Sequence, residues 1–144
     1  MLLGTFKHNL DSKKRLVLPS KFRSQLQEIV YILKGYDGAV SVYCEEGLKD
    51  LIKSINSLPF NQKDSRDIAR LTLASVVELQ IDAAGRIQLP KDVVINYNIT
   101  KEVVVIGLVD HFEIWSKSTW EEYVEKGNRE FETIAERLPF QKNG

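Results

Sequence analysis

The chain carries one five-residue stretch twice, Asp11-Ser12-Lys13-Lys14-Arg15 and Asp82-Ala83-Ala84-Gly85-Arg86. Each copy runs on through an alternating apolar segment into a proline, Leu16-Val17-Leu18-Pro19 in the first and Ile87-Gln88-Leu89-Pro90 in the second. A constant offset of 71 residues holds Asp, Arg, Leu and Pro in register, the mark of an internal repeat. In 144 residues each copy has about 70, too few to bury a comfortable core alone. The strands of one copy are therefore expected to interleave with those of the other, with pseudo-two-fold symmetry.

The same order of elements is predicted in both copies. In the first, a strand from Thr5 to Asn9 leads into the Asp11 loop, a return strand from Arg15 to Leu18, and a helix from Ser20 with Phe22, Leu26 and Ile29 on one face. A hairpin follows, Val30 to Leu33 and Ala39 to Tyr43 around Gly35-Tyr36-Asp37-Gly38. A helix over residues 45–56 then shows an apolar stripe at Leu48, Leu51, Ile52 and Ile55. Ser57-Leu58-Pro59 ends it, and a third helix carries Ile68, Leu71 and Val76. The second copy repeats the pattern with strands Val77 to Ile81 and Arg86 to Leu89. It continues with a short helix after Pro90, a hairpin around Asp110-His111, and a last helix opened by a Ser118/Glu121 capping box. That helix bears Trp120, Tyr123, Val124, Phe131, Ile134 and Leu138 as a docking stripe. The fold class read from this order is α+β around a small barrel-like sheet. The expected units are a first repeat over 1–56, a connecting segment with a helix over 57–76, a second repeat over 77–138 and a flexible tail over 139–144.

Composition excludes several classes. No apolar run approaches the ~20 residues of a membrane span, and the first residues do not read as a secretory signal. The single cysteine, Cys44, rules out an internal disulfide, fits a reducing cytoplasm, and reads as a packed strand residue. The templates for a hydrolase nucleophile, a nucleotide loop, a redox dithiol or a metal site are missing. His8 and His111 stand alone in sequence, so no catalytic residue, metal ligand, cofactor or small-molecule substrate is expected. The aromatics fall at core spacing rather than forming a single-strand stacking platform.

The formal net charge is zero, yet it is unevenly spread. Residues 1–23 hold six cations against one anion, and residues 110–137 hold four against eight. One basic and one acidic face are the footprint expected of a nucleic-acid binder on a neutral protein, although two ordinary solvated surfaces would read the same way.

An Asp followed at i+4 by Arg across a tight loop can accept backbone N–H groups in the turn and pair with the guanidinium that opens the return strand. The loop becomes stiff. A stiff tip carrying Lys13 and Lys14 beside an oriented Arg15 suits phosphate contact and bidentate readout of guanine, with less entropy lost on binding. The same pair also closes hairpins that bind nothing. That reading weighs more for the second copy, where Ala83, Ala84 and Gly85 form the tip.

These residues resemble a known family. Gly4-Thr5-Phe6, Asn9-Leu10-Asp11-Ser12-Lys13, Arg15-Leu16 to Pro19, Phe22-Arg23, Asp82-Ala83-Ala84-Gly85-Arg86 and Phe112-Glu113-Ile114-Trp115 are similar to the MraZ family of bacterial regulators, over nearly the whole chain. The resemblance implies two tandem half-barrels of the SpoVT/AbrB-like swapped-hairpin kind, forming a pseudo-two-fold core with flanking helices. It further implies a ring-shaped homo-oligomer and association with the nucleoid. Such a ring would bind short direct repeats of double-stranded DNA in a promoter at the head of the division and cell-wall gene cluster. By position, Lys13, Lys14, Arg15 and Arg86 are the implied DNA contacts, and Asp11 and Asp82 orient the loops. The family commonly has glycine where this chain has Lys14, so a somewhat different first turn is expected.

Two other functions fit the same residues. An antitoxin-like protein-interaction module would use the apolar stripes at 48–55 and 120–138, and neutral loop tips would favour it. A small barrel enzyme would depend on Asp11 or Asp82 but not on Lys13 and Lys14.

Overall fold

A computed structural model describes residues 1–139 of the chain. The flexible tail expected over 139–144 lies, beyond Pro139, outside the described residues. The first strand, β1 (Leu2–Asn9), leads through the Asp11 loop to β2 (Arg15–Val17), then to a single helical turn, α1 (Ser20–Arg23). The hairpin β3 (Ile29–Lys34) and β4 (Val40–Tyr43) is followed by α2 (Glu45–Asn56) and α3 (Lys63–Ala74). The second half runs β5 (Val77–Gln80), β6 (Arg86–Gln88), α4 (Lys91–Asn96), β7 (Glu102–Val109), β8 (His111–Ser116) and α5 (Lys117–Arg137). No described helix is long and apolar enough to cross a membrane.

Two antiparallel sheets organise these elements. Six strands pair in the order β1-β7-β8-β4-β3-β5, and β2 pairs with β6 in a separate ribbon. Exchanging each strand for its counterpart in the other repeat reads the six-strand order backwards, which is the signature of a pseudo-two-fold axis. The opening strand of each half lies on the hairpin of the other: β1 on β7 and β5 on β3. Two tandem half-barrels are thus interleaved in an α+β fold. The axis passes through the ribbon at Leu16, which faces Ile87, its own counterpart 71 residues on.

Cross-repeat backbone bonds obey the same symmetry. Leu10 N–H donates to Lys101 carbonyl at 2.7 Å and Ile81 N–H to Glu28 carbonyl at 2.8 Å. Leu18 N–H donates to Gly85 carbonyl at 3.0 Å and Leu89 N–H to Lys14 carbonyl at 2.9 Å. The core lies along the axis, where Leu16, Leu18, Phe22, Ile87 and Leu89 from both copies pack with Val30, Val42, Phe112 and Ile114. Phe22 stands on Phe6 edge-on at 5.2 Å and beside Phe112 at 5.4 Å, geometries that favour aromatic pairs.

Several local expectations are corrected. Ile29 belongs to β3 rather than to the helix after Pro19, because that helix stops at Arg23. Pairing with Gln80 of β5 draws the segment into the sheet, a tertiary contact that outweighs local periodicity. Val76 falls beyond α3. The cap of α5 is Ser116 rather than Ser118: its hydroxyl accepts the Thr119 N–H at 3.3 Å, so the helix begins two residues earlier. Cys44 occupies the N-cap position of α2, without a side-chain cap bond, instead of lying in a strand. The stripe on α2 is consumed internally, with Leu48 and Ile55 buried. On α5 only the first turns are docked, where Trp120 and Tyr123 cluster on Trp115; Phe131, Ile134 and Leu138 are exposed.

Candidate nucleic-acid interface

The Asp11 loop is built around one carboxylate. Asp11 Oδ1 accepts the backbone N–H groups of Lys13 and Arg15, both at 2.9 Å, and Oδ2 accepts Arg15 Nε at 2.6 Å. Backbone bonds from Asp11 N–H to Arg15 carbonyl and from Lys14 N–H to Asp11 carbonyl close the turn. The Asp82 loop repeats this bond for bond. Asp82 Oδ1 accepts Ala84 N–H at 3.0 Å and Arg86 N–H at 2.9 Å, and Oδ2 accepts Arg86 Nε at 2.8 Å. The Arg15 N–H leads the causes that hold the Asp11 carboxyl below its ordinary value, with the Arg15 guanidinium and Lys13 N–H adding to it against partial desolvation. The Arg86 N–H plays the same leading part for Asp82. Both carboxylates are therefore ionised throughout the physiological range.

The fourth loop position takes the left-handed conformation in both copies, φ 62° at Lys14 and 77° at Gly85. The different first turn expected from lysine in place of glycine does not occur. Two constraints hold Lys14 there: the Asp11 bonds on either side, and its carbonyl, which is tied to Leu89 N–H from the other repeat.

The ribbon then decides where the arginines point. Arg15 faces Gln88 and Val17 faces Arg86, on either side of the Leu16/Ile87 pair. Side chains alternate along strands, so the fully buried Leu16 and Ile87 fill the core while Arg15, Val17, Arg86 and Gln88 share the opposite face. Each arginine uses Nε to hold its aspartate, leaving the terminal amino groups as the outward fork. Lys13 and Lys14 are exposed at one end of the ribbon, where Gln88 Nε2 donates to Lys13 carbonyl at 3.0 Å. All six expected site residues, Asp11, Lys13, Lys14, Arg15, Asp82 and Arg86, are thus gathered on this one ribbon and its two loops.

One cation there was not singled out from sequence. Arg23, on α1 of the first repeat, lies across Gly85 so closely that a Cβ on that glycine would overlap its guanidinium. Its place in the basic segment was visible, but its approach to the second loop depends on the interleaving. The histidines stand apart from the ribbon. His8 is on β1, where burial lowers its pKa, and His111 stacks on Tyr43 at 4.5 Å. Among the described residues, no group of three or more His, Cys, Asp or Glu is placed to hold a metal.

The chain matches the family described as "MraZ protein, putative antitoxin-like" twice in tandem, over residues 1–71 and 73–140. It belongs to the MraZ family. Among curated MraZ relatives, "Transcriptional regulator MraZ" of Thermoanaerobacter sp. is 41% identical over 96% of both chains. The proteins of that name from Caldanaerobacter subterraneus and Pediococcus pentosaceus are 40% and 38% identical over the same shares. The name these MraZ relatives carry is that of a regulator and not of an enzyme.

Proposed function

We propose that this protein is a transcriptional regulator that binds double-stranded DNA through the β2–β6 ribbon and its two loops. The observation that carries the reading is the pair of Asp-clamped arginines, Arg15 and Arg86, on one exposed face of a two-stranded ribbon. A ribbon of that width enters the major groove, and a guanidinium whose Nε is already fixed offers its outer N–H pair to guanine O6 and N7. Lys13 and Lys14 supply phosphate contacts, which set affinity and register rather than sequence choice. Asp11 and Asp82 orient the loops and touch no DNA.

One ribbon neutralises few phosphates and binds weakly. A ring-shaped homo-oligomer aligning several ribbons with short direct repeats would bind far more tightly through effective concentration. This links the oligomer, the tandem promoter site at the head of the division and cell-wall cluster, and residence in the cytoplasm on the nucleoid. A second reading, an antitoxin-like interaction module, draws on the exposed apolar residues Ile68 and Leu71 of α3 and Phe131, Ile134 and Leu138 of α5.

The test is a titration of wild type and Arg15→Ala against the promoter repeats and a scrambled duplex at two salt concentrations, with assembly followed by light scattering. A preference for the repeats that is lost in an Arg15→Ala protein of normal assembly supports the DNA-reading role. Equal binding of the two duplexes by wild type, or an unchanged preference in the variant, would sink it and put the partner-protein reading first.

A further inference from the structure

The two loops share one backbone but differ in charge at the tip. In the first, the residue at the left-handed position is itself a cation, Lys14. In the second that position is Gly85, behind Ala83 and Ala84, and read along the chain the loop looks neutral apart from Arg86. Interleaving alters this. The guanidinium of Arg23 occupies the space into which a side chain at Gly85 would grow. It leaves Gly85 buried while Asp82, Ala83 and Ala84 remain exposed. Arg23 is an exposed residue, and it takes part in none of the ion pairs among the described residues. Its counterpart in the second repeat, 71 residues on, is the half-buried Val94, so no cation is delivered to the first loop in return. Lys14 makes one unnecessary there.

We propose that Arg23 is the phosphate-contacting cation of the second loop, supplied in trans from the first repeat to the place that Lys14 fills in the first loop. The proposal rests on the ribbon being a DNA-binding face, and it assigns Arg23 to the backbone rather than to bases. Arg15 and Arg86 are each oriented by an aspartate through Nε, which leaves the terminal amino groups for bidentate contact with a base. Among the described residues Arg23 has no such carboxylate, and it stands on α1 beside the ribbon, so it acts as a charge that positions the duplex. Each loop then presents a base-reading arginine with a phosphate-binding cation at its fourth position, Lys14 itself in the first loop and Arg23 lying over Gly85 in the second. The glycine at position 85 is required because a side chain there would displace Arg23.

The test measures affinity for the promoter duplex and for a scrambled duplex as a function of salt. It compares wild type, Arg23→Gln, which keeps a long polar side chain without the charge, and the double variant Arg23→Ala/Gly85→Lys, which rebuilds the second loop in the image of the first. Arg23→Gln is expected to weaken binding to both duplexes by the same factor and to reduce the slope of log affinity against log salt by about 0.9 for each bound protomer. The double variant is expected to restore the slope. Melting temperature and light scattering confirm that each variant folds and assembles. An unchanged slope in Arg23→Gln overturns the assignment. So does loss confined to the promoter duplex, which would make Arg23 a base reader, or a double variant that recovers nothing. If wild type itself binds no duplex, the DNA-binding reading fails and this role with it. An Arg23→Gln protein that behaves as a DNA-binding wild type refutes only the role of Arg23.

Discussion

The Asp11 and Asp82 loops have the same hydrogen bonds to within a few tenths of an ångström and almost opposite tips, Ser-Lys-Lys in one and Ala-Ala-Gly in the other. Their shared shape comes from the residues they have in common. An aspartate that accepts three N–H groups and a fourth-position carbonyl tied to the opposite repeat leave the backbone no other arrangement. The residues between are then free to vary in charge. In the first loop even glycine at the left-handed position is dispensable, although a lysine at positive φ is a strained choice.

The largest break in the comparison is expected at the axis that both loops lean on. Leu16→Ala or Ile87→Ala removes a fully buried side chain and should cost about 2–5 kcal/mol in chemical denaturation. The two losses should be similar because the residues face each other across the ribbon. A much smaller loss in one would show that the halves do not share their core equally.

Arginine truncation comes next. Arg15→Ala and Arg86→Ala should each remove roughly 1–3 kcal/mol of discrimination between correct and altered bases, read as fold-change in promoter affinity against single-base variants. Equal effects mean that both loops read DNA. An effect of Arg15→Ala alone restricts readout to the first.

The fourth position gives a sharper contrast, because the reverse exchanges Lys14→Gly and Gly85→Lys should move stability in opposite directions. Lys14→Gly relieves a positive-φ lysine and is expected to raise stability by up to about 1 kcal/mol, while lowering the salt slope of DNA binding by about 0.9 for each bound protomer. Gly85→Lys alone puts a side chain on a backbone at φ 77° and pushes aside the exposed Arg23 guanidinium; the backbone strain should lower the melting temperature. Stabilisation by Gly85→Lys would mean that the second loop has room the structure does not show.

The smallest expected difference is in acid. Both aspartates have pKa values lowered from 3.8 by folding. A depressed carboxylate contributes stability that is fully present above the unfolded-state pKa and is lost as pH falls through the folded-state value. Neither loop should therefore loosen between neutrality and about pH 4, and carboxyl-carbon NMR titration should place both midpoints below 3.8. A midpoint at or above that value in either loop would show that its bonds are not kept in solution.

Much of the candidate interface was readable along the chain. Asp11 and Arg15, like Asp82 and Arg86, are four residues apart, so their pairing is local and survives inspection of sequence alone. Short-range periodicity also located most strands, the helix over 45–56 and the last helix, whose start it placed at Ser118. It failed where distant partners compete with local preference. Ile29 fits a helical face after Phe22, yet pairing with β5 makes it a strand residue. Val76 fits the α3 stripe but lies past the helix end. The stripe at Leu48 and Ile55, by contrast, suited either a sheet or a partner, and both residues are buried within the chain.

By itself, then, the sequence determined the repeat, the two stiff loops, the α+β class and the family, because each rests on residue identities at fixed short spacings. Only the tertiary structure decided that β2 and β6 form one ribbon, that Arg15 and Arg86 share its outer face, and that Arg23 reaches Gly85. Those relations join residues some 60 to 70 positions apart. Neither half can bury its apolar surface without the other, so such distances close only when the two repeats fold around a common core.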